Sequence, residues 1–264
     1  MKGSILHTVI TILFVICQFS CSKPFDKEEI DNLFSPIRAK YGIEIVYTID
    51  DDFDPIGLGG GRAHFQKKEP IEYEVLLRYP QILQSALEKY PVAVIKDYLS
   101  SVYLVKTLER NDFACGGSYD AFRKIVYLAN DGNQNDELSV EIFHHEFSSI
   151  LLKKSGFFLS PWLACNPDGF KYFYETNVGI KEIYSHTIIG KTADYEDGFL
   201  NEYSRSDFEN DFNEFSRMIF SHPKEFEQIM NQYPRIYKKF RLWLSFYQEI
   251  DPVFTMAYLF GSGK

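Results

Sequence analysis

The middle of the chain, residues 143–152, reads Phe-His-His-Glu-Phe-Ser-Ser-Ile-Leu-Leu. It lies inside a longer segment, residues 136–154, that is strongly predicted to be one helix. Asp136 or Ser139 can cap the first turn of this helix, and Gly156 can end it. The central helix therefore carries two adjacent histidines and a glutamate, which have the most distinctive chemistry in the chain.

His145 and Glu146 occupy the first two places of an HExxH pattern. On a helix, residues i and i+4 share one face, so two imidazoles can hold one Zn²⁺ while the glutamate acts as general base on the bound water. The fifth place is Ser149, whose hydroxyl is a much poorer zinc ligand than an imidazole. His144 does not replace it, because it lies about 100° around the helix from His145. Taken alone, the pattern also fits a buried histidine that is hydrogen-bonded to a carboxylate.

A second segment, further along the chain, adds a candidate carboxylate. Residues 197–215 read DGFLNEYSRSDFENDFNEF, and the end of this segment belongs to a helix predicted over residues 206–220. On that helix, Glu214 is well placed to present its carboxylate as a third metal ligand.

Together these segments resemble the zinc-binding metallopeptidases of the gluzincin type, and more narrowly the substrate import-associated zinc metallohydrolase lipoproteins. The pattern of that family is a lipoprotein leader, a helix similar to HHEFxHIL, a GF…Y segment and a helix similar to EDFAE. The matching residues here are 143–151 (except Ser149), Gly198, Phe199, Tyr203 and 210–214. The resemblance covers essentially the whole mature chain in length and motif order, and it implies a zincin-like fold.

The resemblance implies roles for three residues on the two helices. His145 would be a zinc ligand, Glu214 another ligand, and Glu146 the general base. Ser149 departs from the family pattern, and we expect it at the metal site as a weak ligand or as a residue that positions a water molecule. The implied cofactor is zinc, which one histidine, one glutamate and waters would hold loosely.

Three further residues could complete the site. Tyr203 could stabilise an oxyanion through its hydroxyl, or it could pack as a core tyrosine. His186 or His222 could supply the missing imidazole from another segment, although each also suits a surface or helix-end position.

The start of the chain has the features of an export signal. Lys2 supplies a positive charge, residues 5–19 are mostly apolar, and Ser20 directly precedes Cys21. The apolar stretch is shorter than the roughly 20 residues that a membrane-spanning helix needs.

This arrangement resembles a bacterial lipoprotein signal, in which residues 1–20 are removed and a lipid anchors Cys21 to the membrane. A plain cleaved signal or a short membrane anchor is the alternative. Residues 21–264 would then form one domain, with residues 21–29 as a tether. We expect an outer-membrane lipoprotein, on the cell surface.

Two other cysteines of the mature chain are Cys115 and Cys165. Outside the cytoplasm they could pair in a disulfide worth about 2–4 kcal/mol. Two buried free thiols are the alternative. Neither cysteine lies in a CxxC pattern, so a metal site built from them is not expected.

The composition limits the classes of partner. With 264 residues, of which 45% are hydrophobic and 25% charged, the chain has the balance of an ordinary globular protein. The net charge of -9 repels phosphate backbones, so we expect no nucleic-acid partner.

The remaining elements predict an α+β fold, in which a small β-sheet packs on the HExxH-like helix and the C-terminal half is all helical. The predicted strands are 43–49, 101–108 and 123–129, the last two around a turn region at Gly116-Gly117. The other predicted helices are 26–41 (with Ile30, Leu33, Phe34 and Ile37 on one face), 79–98 with a break at Pro91, 206–220, 223–232 and 234–248.

Two functions from different classes fit these features. The first is a zinc hydrolase, which the family resemblance implies would cleave a peptide or glycopeptide for a TonB-dependent importer and its SusD-like lipoprotein. The second is a catalytically degenerate hydrolase that keeps the fold and binds a substrate, or a partner of the importer, because Ser149 replaces the second histidine of the pattern.

Overall fold

The structure is a computed structural model that describes residues 26–48, 70–110, 113–157, 159–173 and 194–261. Cys21, the leader and His186 lie outside the described residues, and so does most of the predicted tether. No helix in these ranges is both long enough and apolar enough to cross a membrane.

The described residues form ten α-helices and six strands. The helices are α1 (Lys27–Tyr41), α2 (Tyr73–Leu76), α3 (Tyr79–Leu87), α4 (Val92–Tyr98), α5 (Asp136–Ser155), α6 (Leu159–Leu163), α7 (Phe208–Ser221), α8 (Pro223–Gln232), α9 (Pro234–Ile250) and α10 (Met256–Phe260). The strands are β1 (Glu44–Val46), β2 (Ser101–Val105), β3 (Glu109–Arg110), β4 (Phe113–Ala114), β5 (Gly117–Asp120) and β6 (Ile125–Ala129).

The main sheet has four strands in the order β1-β2-β6-β5, and β3 and β4 form a separate hairpin. Strands β1, β2 and β6 run parallel, whereas β5 is antiparallel to β6. The α+β class is therefore confirmed, with a helical C-terminal half. Only three strands were predicted, because β5 reads Gly-Ser-Tyr-Asp and lacks the apolar residues that mark β2 and β6.

Helix α5 is the central element of the fold. It packs on α7, on α3, and on strands β5 and β6, and residues on every side of it are buried. Its cap differs from the prediction, because the Asn135 side chain accepts a hydrogen bond from the backbone N–H of Leu138. Asn135 has the extended backbone that a cap needs, whereas Asp136 already lies in the first turn.

Two other expectations need correction. Leu33 on α1 is 41% exposed, whereas its predicted neighbours Ile30 and Phe34 are fully buried. Cys115 and Cys165 do not form a disulfide: both are free thiols. The tertiary structure directs Cys115 toward the carbonyl oxygen of Leu108 and Cys165 toward that of Pro161, so the two thiols have separate local partners.

Candidate functional site

Helices α5 and α7 bring His145 and Glu214 into contact, although they are 69 positions apart in the chain. The Nδ1 atom of His145 lies 3.1 Å from Oε1 of Glu214, and both side chains are buried. The two residues thus belong to one site, while their roles as zinc ligands stay predictions.

The second oxygen of the Glu214 carboxylate is also engaged. Oε2 accepts hydrogen bonds from Nη1 of Arg217, at 3.0 Å, and from Nδ2 of Asn201. Burial by itself would raise the pKa of Glu214. The positive charge of Arg217 and the hydrogen bonds from His145 and Asn201 outweigh burial and lower this pKa to about 2.

Arg217 joins this pair to a second histidine–glutamate pair. Its Nε donates to Oε2 of Glu141 at 2.7 Å, and Nη2 pairs with the same oxygen. The other carboxylate oxygen of Glu141 lies 2.6 Å from Nε2 of His222. One guanidinium is therefore shared by two carboxylates, and each carboxylate also contacts one imidazole.

The fifth place of the HExxH-like pattern has a different partner. The Ser149 hydroxyl accepts a hydrogen bond from Nδ2 of Asn213 at 2.7 Å, and Ser149 is 1% exposed. Ser149 therefore helps to hold α5 against α7. The neighbouring Ser148 serves the same contact through the hydroxyl of Ser216, at 2.8 Å.

Tyr203 and Glu146 border the His145–Glu214 contact. Tyr203 lies in a 3₁₀ turn, and its ring stacks on the imidazole of His145 with centroids 5.7 Å apart and planes 26° apart. Glu146 is half-buried on α5 beside β5, where a Cβ atom added to Gly117 would lie 3.0 Å from Cγ of Glu146. Of the predicted residues, His145, Glu214 and Tyr203 are thus in mutual proximity, and Glu146 lies beside them on α5.

His144 faces away from this site, into the aromatic core. Its Nδ1 lies 3.0 Å from the Tyr90 hydroxyl, and the rings of Phe143 and Phe220 surround it. Burial lowers the pKa of His144 to about 3, so its imidazole is neutral at physiological pH.

Sequence analysis missed Glu137, Glu141 and Arg217. Two spacings in the sequence could have identified them. The two glutamates are four positions apart on α5, and Arg217 follows Glu214 by three positions on α7. Within the described ranges, one group of three His, Cys, Asp or Glu side chains has ligand atoms that all lie within 4.8 Å of one another. It consists of Glu137, Glu141 and His222, so the candidate histidine His222 lies with these glutamates and not with His145 and Glu214.

Within the described residues, which do not include His186, the predicted site offers fewer ligands than a zinc ion needs. A closed zinc site uses four ligands, and a catalytic one uses three protein ligands and a water. Here the described residues offer His145 and Glu214, and the second carboxylate oxygen of Glu214 is already bound to a guanidinium. A dication beside Glu214 would be repelled by the charge of Arg217, and Ser149 is engaged by Asn213.

The GF segment packs against α9. Gly198 has φ of +90°, and a Cβ atom there would lie 2.9 Å from Cβ of Arg235. We expect Gly198→Ala to lower the free energy of unfolding by about 1–3 kcal/mol, since it combines backbone strain with overpacking. Urea unfolding measures the change.

Gly169→Ala is the matched control for this variant. Gly169 has φ of +76° with no neighbour within 4 Å of the added Cβ, so this variant introduces strain without crowding. An equal decrease in the free energy of unfolding of the two variants would show that the close approach of the added Cβ to Arg235 has no effect on stability.

Comparison with known proteins supports the fold. The chain matches the crystal structure of a putative zinc-binding metallo-peptidase from Bacteroides caccae ATCC 43185 with a TM-score of 0.51. The sequences are 14% identical, and the match covers 89% of this chain and 92% of that chain. No protein-family model and no curated protein matches the sequence. At this identity, the likeness extends to the fold.

Proposed function

We propose that the chain is a cell-surface lipoprotein with the fold of a zinc metallopeptidase that binds a peptide or glycopeptide without hydrolysing it. It would be anchored by a lipid on Cys21 and would serve a TonB-dependent importer and its SusD-like lipoprotein. The anchor, the location and these partners rest on the sequence resemblance. The loss of hydrolysis rests on the geometry of the site.

The observation that carries the proposal is the position of Arg217. In a gluzincin-like site, a metal cation would neutralise the carboxylate of Glu214. In this chain a guanidinium does so, 3.0 Å away, and it also bonds to Glu141. At this site a single positive charge therefore stands beside Glu214, where a zinc ion would bring two.

The edge of the sheet offers a surface for an extended ligand. In the described part of the sheet, β5 pairs with β6 alone, so its other edge presents backbone N–H and C=O groups. Gly117 on β5 lies against Ile142 and Glu146 of α5. A peptide that added a strand to this edge would be held by main-chain hydrogen bonds and would pass close to Glu146.

Metal analysis of the purified protein tests the proposal. We expect far less than one zinc per chain, and a melting temperature that is the same in EDTA and in excess zinc, because no metal contributes to stability. Elemental analysis by mass spectrometry and thermal unfolding provide the two readouts.

A zinc hydrolase is the second candidate, and the contact between His145 and Glu214 favours it. This function requires near-stoichiometric zinc that is lost in Glu214→Ala and kept in the control variant Glu225→Ala, whose side chain is exposed on α8. That result would overturn the binding proposal.

A further inference from the structure

A second charged pair lies apart from the candidate site, between α7 and α9. Nζ of Lys239 is 2.7 Å from Oδ2 of Asp211, and both side chains are 0% exposed. The ring of Phe199 lies 4.0 Å from Nζ, and the ring of Trp162 lies 5.3 Å away. Such an apolar enclosure costs several kcal/mol for each ion, which the attraction between the two ions offsets only when the remaining polar atoms are bonded.

The remaining polar atoms of this pair are unequally bonded. Oδ2 of Asp211 also accepts hydrogen bonds from Nε1 of Trp162, at 2.8 Å, and from the hydroxyl of Tyr172, at 2.7 Å. Nζ of Lys239 also donates to the carbonyl oxygen of Gly198 at 2.9 Å. Oδ1 of Asp211 is buried and has no hydrogen-bond partner among the described residues. A buried carboxylate oxygen without a donor requires an explanation.

We propose that Lys239 and Asp211 condense to an intramolecular isopeptide bond that links α7 to α9. The reacting forms are the neutral amine and the neutral carboxylic acid, which arise when the ammonium gives one proton to the carboxylate. Nζ attacks Cγ, the Cγ–Oδ1 bond breaks, and Oδ1 leaves as water with the acid proton and one amine proton. The step is a dehydration, so it needs neither an oxidant nor a reductant.

Burial favours the reacting forms. It raises the pKa of Asp211 and lowers the pKa of Lys239, because the apolar surroundings penalise both charges. The two donors on Oδ2 polarise the carboxyl group in the manner of an oxyanion hole, which promotes attack on Cγ. Nζ of Lys239 lies 2.7 Å from Oδ2 of Asp211, so the proton can pass directly from the ammonium to the carboxylate.

The product would satisfy every polar atom that the ion pair leaves behind. Its carbonyl oxygen, the former Oδ2, keeps the donors Trp162 and Tyr172. Its single N–H keeps the acceptor, the carbonyl oxygen of Gly198. The unbonded oxygen Oδ1 is the one that leaves. Condensation therefore removes two buried charges and one unpaired atom at once.

Mass spectrometry of the purified full chain tests this proposal under denaturing conditions. We expect a mass lower than that of the unmodified chain by one water molecule. We also expect a tryptic map in which cleavage after Lys239 is lost and its peptide is joined to the peptide that contains Asp211. An unmodified mass, or a loss of water located elsewhere, would overturn the proposal.

The variants Lys239→Met and Lys238→Met form a matched pair, since Lys238 is an exposed neighbour on α9. The mass of Lys239→Met should equal the mass calculated for its unmodified sequence. The mass of Lys238→Met should remain one water molecule below its calculated value. Asp211→Leu is the second informative variant. Asp211→Asn is unsuitable, because an amide could form the same bond by releasing ammonia. The mass of the parent chain decides the question even if a core variant fails to fold.

Discussion

Arg217→Met should lower the free energy of unfolding by about 3–5 kcal/mol at pH 7, the usual cost of removing one partner of a buried charge network. The methionine removes the shared donor of Glu141 and Glu214, two buried carboxylates that then repel each other. Methionine fills a similar volume, so the decrease in the free energy of unfolding results from the lost charge and not from a cavity. Urea unfolding of the purified variant measures it.

Lys40→Met is the control for the removal of a positive charge. Lys40 pairs with Glu88 at 3.7 Å, and both side chains are about half exposed, so this variant should lose far less stability than Arg217→Met. Adding zinc provides a second readout. If Arg217 occupies the place of a dication, zinc should stabilise Arg217→Met and leave the parent protein unchanged. A loss in Arg217→Met no larger than that in Lys40→Met would contradict the central role of this guanidinium.

Glu214→Gln should make the chain less stable than the parent by about 3 kcal/mol near pH 5–6, with the difference falling on both sides of that range. The folded-state pKa of Glu214 is about 2, against an ordinary 4.5. Its contribution to stability is therefore complete above pH 4.5 and is lost as the pH falls through 2. Urea unfolding of both proteins at a series of pH values measures the difference.

The decrease in this stability difference above pH 6.5 comes from His145. Burial lowers the pKa of His145, but the hydrogen bond to Glu214 and the charges of Glu146 and Glu214 outweigh burial, and the pKa rises above its ordinary 6.5. A raised pKa contributes stability that is complete below pH 6.5 and is lost as the pH rises through the folded-state value. Burial also raises the pKa of Asp207, to about 6, so this residue likewise makes stability fall as the pH rises, but it is present in both proteins. A difference that is independent of pH would contradict this account of the site.

The fold was predictable where the signal was local. The predicted closing helices correspond to α7, α8 and α9, because prolines mark the first turns of the last two and apolar residues recur at helical spacing. Strand β5 was missed because an edge strand with small and polar residues has no distinctive periodicity. The cap of α5 was misassigned among three neighbouring polar residues, since the backbone angles at Asn135 select it.

The candidate site was predictable in part. The HExxH-like pattern on α5 and the carboxylate on α7 singled out His145 and Glu214, and these two side chains are in contact. Arg217 was missed, although it follows Glu214 by one helical turn. Its second partner, Glu141, lies 76 positions away on another helix, and no spacing along the chain encodes that distance.

Periodicity, capping residues and motif order were enough to specify the α+β class and the helix that carries the site, because these depend on neighbours within a few turns. The identity of the cation beside Glu214 depended on how α5 packs against α7. Only that packing places one guanidinium between two carboxylates, and buried charges are set by whichever groups lie within a few ångströms of them, however far apart those groups are in the chain.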